Sequence, residues 1–182
     1  FAAAGADESI LYDAKPHIGT DALLTVVQNL RRRILALGGE VRFSAQATGF
    51  LREDGALSGL EVCERGETYT LPCRHAILAI GHSARDTFET LLQSGVPMEP
   101  KAFSMGVRIE HRQEMVNKSQ YGAFADRLGA ADYKLNVRFP DGTSAYTFCM
   151  CPGGHVVAAA SEEGGVVTNG MSDFARDGEN AN

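Results

Sequence analysis

One stretch constrains the chain more than any other: the apolar run Ala76-Ile77-Leu78-Ala79-Ile80 breaks on Gly81-His82-Ser83 and passes into Ala84-Arg85-Asp86-Thr87-Phe88. Five uncharged apolar residues in a row predict a strand buried on both faces, as in a parallel sheet. Gly81 frees the backbone for a sharp turn at the strand's end. Ser83 is then expected to cap the following helix, with Asp86 three residues on in capping-box position. A strand that ends in glycine and enters a helix N-terminus is where α/β proteins hold anionic ligands. No G-x-G-x-x-G occurs anywhere, so the usual first turn of a dinucleotide fold is missing from this sequence.

With 182 residues the chain has room for one domain or two small lobes. It opens on Phe1 rather than methionine and is expected to be an internal piece of a longer protein. The net charge of −6 lacks the electrostatic footprint of a nucleic-acid binder. Arg31-Arg32-Arg33 is the one basic cluster and reads as a solvated helix face near a C-terminus, where cations suit the dipole. No apolar stretch approaches the roughly 20 residues of a membrane span, and no signal peptide is visible. Four cysteines in 182 residues do not make a secreted disulfide scaffold. The expectation is therefore a cytoplasmic protein with no nucleic-acid or membrane partner.

The clearest helix follows Lys15-Pro16-His17-Ile18-Gly19. Thr20 or Asp21 is expected to cap it. Leu23, Val27, Leu30, Ile34 and Leu37 recur at helical spacing, and Gly38-Gly39 ends the helix in the left-handed conformation. This apolar stripe is expected to pack on the meander that follows. Strands are predicted over Val41–Arg52, with a bulge at Gly49, then Leu57–Glu64 after an Asp54-Gly55 turn, then Thr68–Leu71. A second helix is expected over Ala84–Gln93, burying Phe88, Leu91 and Leu92 and stopping at Gly95. Prolines 97 and 100 mark a boundary, dividing the chain into 1–96 and 97–182. Beyond it the sequence predicts a strand over Phe103–Ile109, a short polar helix over Arg112–Gln120, a hairpin of Tyr133–Phe139 with Ala145–Cys151, and a strand over Val156–Ala160. The tail from Gly164 reads as loop. The fold class is α+β.

Taken together, KPHIGTD, the Gly38-Gly39-Glu40-Val41 turn, AILAIGHSARDTFE, MGVRIEH, FCMCPGG and TNGMS resemble a bacterial family of FAD-dependent dehydrogenases, similar to the glutathione-reductase-like flavoproteins. The resemblance covers nearly the whole chain. It implies that residues 1–96 are part of an FAD-binding domain: helix, three-stranded β-meander, buried strand, helix. Residues 97–182 would be a mostly antiparallel β-rich substrate domain with a return segment. In that family the glycine-rich fingerprint and first βαβ unit precede the point where this chain starts, and a further FAD-contacting segment follows where it stops. The parent protein would then bind FAD and move electrons to or from a small organic substrate. The isolated piece, lacking the fingerprint amides, is expected to hold no FAD and to be inactive. Its uncovered apolar faces and strand edges predict self-association. The alternative is a non-enzymatic binding or structural module that folds alone.

The candidate sites carry two readings each. Gly81, His82, Ser83 and Arg85 match a strand end that lies against FAD, or form a tight turn with a capped helix. His17 with Thr20 and Asp21 stands before a helix N-terminus; it donates to a flavin or shuttles a proton near pH 7, or it orders the loop. Lys15 adds positive charge beside it. Cys149 and Cys151 share a face if they lie on a strand. They read as a strained disulfide, as zinc ligands with His155, as flavin-adjacent redox thiols, or as small buried apolar groups. Gly153-Gly154 and Asn169-Gly170 are turns with unusual backbone freedom, which the resemblance places where the substrate domain returns to the cofactor. Arg108, Glu110 and His111 are candidates for a substrate cleft. No set of metal ligands stands out.

Overall fold

The computed structural model of the protein describes residues 1–160 and 162–182. The regular elements in chain order are α1 (Thr20–Ala36), β1 (Ala45–Glu53), β2 (Ala56–Glu64), β3 (Glu67–Pro72), α2 (Arg85–Gln93), β4 (His111–Arg112), α3 (Gln113–Tyr121), β5 (Asn136–Arg138), β6 (Ser144–Tyr146), β7 (Gly154–Ala158), β8 (Thr168–Ser172) and β9 (Asn180–Ala181). Helix and strand are mixed, in keeping with the α+β class. The contacts divide the chain into two compact units. One joins Phe1–Gly39 to Met105–Asn182, and the other is Glu40–Ser104.

In the unit Glu40–Ser104, local turn chemistry makes the sheet. Asp54 and Gly55 (φ 51° and 80°) and Arg65 and Gly66 (φ 54° and 92°) each supply the paired positive φ angles of a two-residue hairpin turn. The result is the antiparallel meander β1-β2-β3. The pairing register shifts between Ala47 and Gly49, leaving Thr48 over as the expected bulge. Helix α2 ends as expected: Gly95 (φ 79°) donates to Leu92 and Val96 donates to Leu91.

The start of that helix differs from expectation. The residue flanking it is Ala84, with no side-chain cap, and the Asp86 carboxylate instead accepts from the Gln46 side chain at 2.6 Å. Residues 76–80 form no strand. They are exposed, Ile77 to 95%, and make no ladder within the described residues. An apolar run needs neighbouring strands to become a buried one, and the meander stops at Pro72. Of α2's three expected core residues, Leu91 is buried, Phe88 half-buried and Leu92 exposed.

In the other unit, α1 ends as its glycines dictate. Gly38 (φ 83°) donates to Leu35 and Gly39 to Ile34. Its buried face is not the expected stripe. Val26 is fully buried against Ala4 and Ala6, with Leu30 and Ile18 packed beside them, whereas Leu23, Val27, Ile34 and Leu37 are exposed. The partner within the unit is a short 3-10 turn of alanines (Ala2–Ala4), and the helix beyond Leu30 is exposed.

The β elements of this unit are shorter than predicted, and differently placed. Phe103–Ile109 forms no strand among the described residues, whereas His111–Arg112 pairs with β9. The hairpin at Asp141-Gly142 keeps three pairs, β5 with β6, so the strand expected to carry Cys149 and Cys151 stops at Tyr146. The tail expected as loop supplies two strands. β8 pairs with β7 from Gly154↔Ser172 to Ala158↔Thr168, and β9 closes on β4. A second small core gathers Val116, Ala131 and Ala181, flanked by Tyr121, Tyr133 and Met150.

Candidate functional site

Two groups of expected site residues meet in the unit that joins the two chain ends. The first is the loop before α1. Gly19 is buried with φ 85°, and a Cβ there would collide with the backbone of Phe174. Only glycine lets the loop approach the 172–174 segment so closely. Around it the side chains of His17, Thr20 and Asp21 all reach that segment. His17 Nε2 donates to the Asp173 carbonyl at 3.0 Å. A carbonyl only accepts, so Nε2 carries the hydrogen and Nδ1 is the acceptor of the neutral ring. The Thr20 hydroxyl lies 3.1 Å from both the Ser172 carbonyl and Asp173 Oδ1 and donates its one hydrogen to either. Asp21 Oδ1 accepts from the Phe174 N–H at 2.9 Å, and that bond holds its carboxyl below the ordinary range. Thr20 and Asp21 therefore open the helix but do not cap it; Gly19 flanks it, and the two side chains bridge parts of the chain more than 150 residues apart. Lys15 pairs with Asp132 at 2.6 Å.

The second group surrounds the Gly153-Gly154 turn. Gln113, the first residue of α3, is buried and fully used. Its Oε1 accepts from Gly153 N–H at 2.7 Å, and its Nε2 donates to Ala131 O at 2.9 Å and to Asn117 Oδ1 at 2.8 Å. Gly153 has φ 57°, and a Cβ would strike the Arg176 carbonyl; at Gly154 a Cβ would strike that of Met171. These glycines make room for the protein's own backbone. Cys151 and Asn182 exchange both backbone hydrogen bonds, at 2.7 and 3.3 Å. Beside them Gly170 leaves a space on which Asn182 Oδ1, Arg108 Nη1 and Cys151 Sγ all close to within 3.0 Å of where a Cβ would sit. Arg108 Nη1 donates to Asn182 Oδ1 at 2.6 Å. Cys151 is half-buried, Cys149 is exposed, and both are free thiols, as are Cys63 and Cys73. Asn169 accepts from the Gly170 N–H through its own Oδ1 at 2.9 Å. His111 Nε2 lies 2.8 Å from the Tyr133 hydroxyl, and Glu110 accepts from Asn180 at 3.3 Å.

The remaining expected residues, Gly81, His82, Ser83 and Arg85, lie in the other unit. Their setting is the opposite of the glycines above. Gly81 has φ 72° with nothing within 4 Å of its Cβ position, and the turn is exposed. The turn leaves room for a flat ring beside its backbone, as do the open turns at Gly55, Gly66 and Gly142. Gly153, Gly154 and Gly170 do not offer the same opening, because protein atoms fill their Cβ positions. Among the described residues no three His, Cys, Asp or Glu side chains stand together as a metal would require, and no helix is long and apolar enough to cross a membrane.

Three residues of the site carried no signal in the sequence. Gln113 sat at an expected helix start, Arg176 in a polar tail and Asn182 in the terminal GENAN. Their importance comes from burial: Gln113 is buried, and Arg176 Nε and Asn182 Nδ2 are buried with no hydrogen-bond partner among the described residues.

Comparison with known proteins agrees with part of this picture. Residues 102–182 match the family described as FAD-dependent protein, C-terminal domain-like. The whole chain is similar to an uncharacterized protein of Clostridium beijerinckii (strain ATCC 51743 / NCIMB 8052), 50% identical over 98% of this chain. The chain spans 33% of that relative's length. The matched region holds Arg108, Gln113, both cysteines of the Cys149–Cys151 pair, the Gly153-Gly154 turn and the 169–182 tail, and so supports a link between this unit and FAD-dependent proteins.

Proposed function

We propose that this chain is a segment of a cytoplasmic, glutathione-reductase-like, flavin-dependent dehydrogenase whose full length moves electrons, as hydride, between FAD and a small organic substrate. The observation that carries the reading is the match of residues 102–182 to the C-terminal domain of FAD-dependent proteins. Similarity over nearly the whole chain to a protein about three times as long supports reading it as part of a larger molecule.

Gly81, His82, Ser83 and Arg85 would hold the flavin, because their turn is exposed and open. Bound there, FAD would supply the two-electron chemistry. His17 Nδ1 is the atom at which this chain would take up or release a proton, with the Asp173 carbonyl fixing the ring through Nε2. Thr20 and Asp21 hold the loop that carries His17. Residues 97–182 would supply the substrate domain. The isolated chain would not retain FAD, since its sequence lacks the glycine-rich fingerprint whose amides hold the pyrophosphate.

The test is to express the chain within its full-length protein and to measure bound flavin by its visible absorption and by release on denaturation. Stoichiometric FAD lost on changing Gly81 to valine supports the assignment. A folded, colourless full-length protein rejects it and leaves the module that folds alone and binds without catalysis.

A further inference from the structure

We propose that Asn169 is a site of spontaneous deamidation, at which the Gly170 main-chain nitrogen attacks the Asn169 side-chain amide, and that the rearranged product loosens the grip of residues 172–174 on the loop that carries His17. The inference stands apart from the flavin reading and needs only the unit that contains these residues.

Two independent observations carry it. The first is chemical. Ring closure between an asparagine side chain and the next main-chain nitrogen is easiest where the next residue has no Cβ to crowd the approach. Asn169 is the one asparagine followed by glycine; leucine, lysine, valine and alanine follow Asn29, Asn117, Asn136 and Asn180. Asn169 is also exposed, so water reaches the ring that forms. The second is geometric. The Ala159 N–H donates to the Val167 carbonyl, and from there the antiparallel ladder alternates. Val157 and Asn169 are a hydrogen-bonded pair, and Val156 and Gly170 are not. The Gly170 N–H therefore points away from β7, to an edge of β8 that pairs with no further strand among the described residues. There it donates to Asn169 Oδ1 at 2.9 Å. The carbon to be attacked lies one bond behind that oxygen. The Asp-Gly turns at Asp141 and Asp177 differ: the Gly142 N–H is held by the Phe139 carbonyl at 3.0 Å and the Gly178 N–H by the Gly153 carbonyl at 3.1 Å.

Water is the only co-reactant. The Gly170 nitrogen gives its proton to solvent and bonds Asn169 Cγ, the Cγ–Nδ2 bond breaks, and the nitrogen leaves as ammonia with a proton from water. Water then opens the succinimide at either carbonyl. One opening gives aspartate on an unchanged main chain. The other gives isoaspartate, whose main chain runs through Cβ. Both add a negative charge, but only isoaspartate adds a backbone atom, which breaks the alternation and register of β8 against β7 beyond residue 169. The residues just beyond are the ones that hold the loop before α1. The Asp173 carbonyl accepts from His17, the Ser172 carbonyl from Thr20, and the Phe174 N–H donates to Asp21. Gly170 has no slack to absorb the change, because even a Cβ there would collide with the Arg108 and Asn182 side chains.

The test ages the full-length protein in mildly alkaline buffer, folded and, in parallel, unfolded in urea. Digestion at acid pH and electron-transfer fragmentation in a mass spectrometer then read aspartate and isoaspartate at each position. In the folded protein Asn169 is expected to convert about tenfold faster than Asn180, and within about tenfold of its own rate in urea. A ladder that held the Gly170 nitrogen would protect Asn169, so conversion slower than that when folded overturns the proposal. So does isoaspartate that arises as fast at Asn180, Asp141 or Asp177. Asn169→Gln, which lengthens the side chain at an exposed position, should abolish the conversion with the circular dichroism unchanged. The ageing experiment needs no variant and decides the matter even where Asn169→Gln does not fold. For the consequence, hydrogen exchange at the Phe174 amide should be about tenfold faster in the isoaspartate form than in Asn169→Asp, which carries the same charge on an unchanged main chain. Equal exchange in the two overturns the loosening of the loop.

Discussion

Replacing Gln113 by alanine tests how the Gly153-Gly154 turn is held. The side chain is 6% exposed and satisfies two main-chain groups that have no substitute partner: the Gly153 N–H at 2.7 Å and the Ala131 carbonyl at 2.9 Å. Asn117 Oδ1, its third partner, keeps the Ala131 N–H at 2.8 Å. Stranding a buried polar group costs about 1–3 kcal/mol, so two of them amount to roughly 2–6 kcal/mol; partial entry of water brings the expected value to about 3 kcal/mol. That is a large share of the roughly 5–15 kcal/mol a domain has in total. Urea unfolding followed by circular dichroism measures it through the midpoint. Gln113→Met separates the two contributions, because it restores the volume without the hydrogen bonds. Both variants should lose stability to within about 1 kcal/mol of each other, whereas Met115→Ala, exposed on the same helix, should change it by less than about 0.5 kcal/mol. Losses below about 0.5 kcal/mol for both Gln113 variants would refute the reasoning, and a methionine that restores full stability would show that volume alone matters.

Gly153→Ala and Gly81→Ala place a side chain at similar positive φ, 57° and 72°, so their difference in stability reports the collision of a Cβ with the Arg176 carbonyl; Gly153→Ala should be the worse by more than about 1 kcal/mol, and equal losses would contradict the packed turn. Val26→Ala should cost about 2 kcal/mol and Val27→Ala less than about 0.5 kcal/mol; the reverse order would return the buried face of α1 to the stripe expected from its sequence. The Asp21 carboxyl is held below its ordinary pKa of 3.8 by the Phe174 N–H, so the stability it contributes is present above pH 3.8 and is lost as the pH falls through its lower folded value; Asp21→Asn should remove that part of the acid sensitivity, and an unchanged acid limb of the stability profile would count against the bond. Ile77, Val107, Met105 and Phe103 are all more than four-fifths exposed, so sedimentation velocity should show concentration-dependent association; a single monomeric species at high concentration would argue that these faces do not self-associate.

What could be read from the sequence was local. The meander follows from Asp54-Gly55, the alternation on either side and the bulge beside Gly49, and α1 and α2 stop at the glycines whose left-handed conformation ends them. What could not be read depends on distant pairing. Thr168-Asn169-Gly170-Met171-Ser172 has the composition of a loop and is a strand only because β7 offers it a ladder. Conversely, AILAI has the composition of a buried strand but no ladder, so burial does not follow from apolarity alone. The site divides in the same way. His17, Thr20 and Asp21 stood out as a polar cluster before a helix, but their partners at Ser172–Phe174 lie over 150 residues away, and no local pattern points to them. The shared face of Cys149 and Cys151 rested on a strand that ends at Tyr146, and the residue Cys151 pairs with is Asn182, in a tail whose polarity suggested solvent.

The central claim is that this chain belongs to a flavin-dependent protein, and the most direct measurement is the flavin content of the full-length polypeptide beside that of the isolated chain. Purified under identical conditions, the full-length protein should carry about one FAD per molecule while the isolated chain, folded by circular dichroism, passes through gel filtration colourless. A colourless full-length protein with native-like circular dichroism would contradict the claim, and stoichiometric flavin on the isolated chain would contradict the placement of the pyrophosphate site outside it.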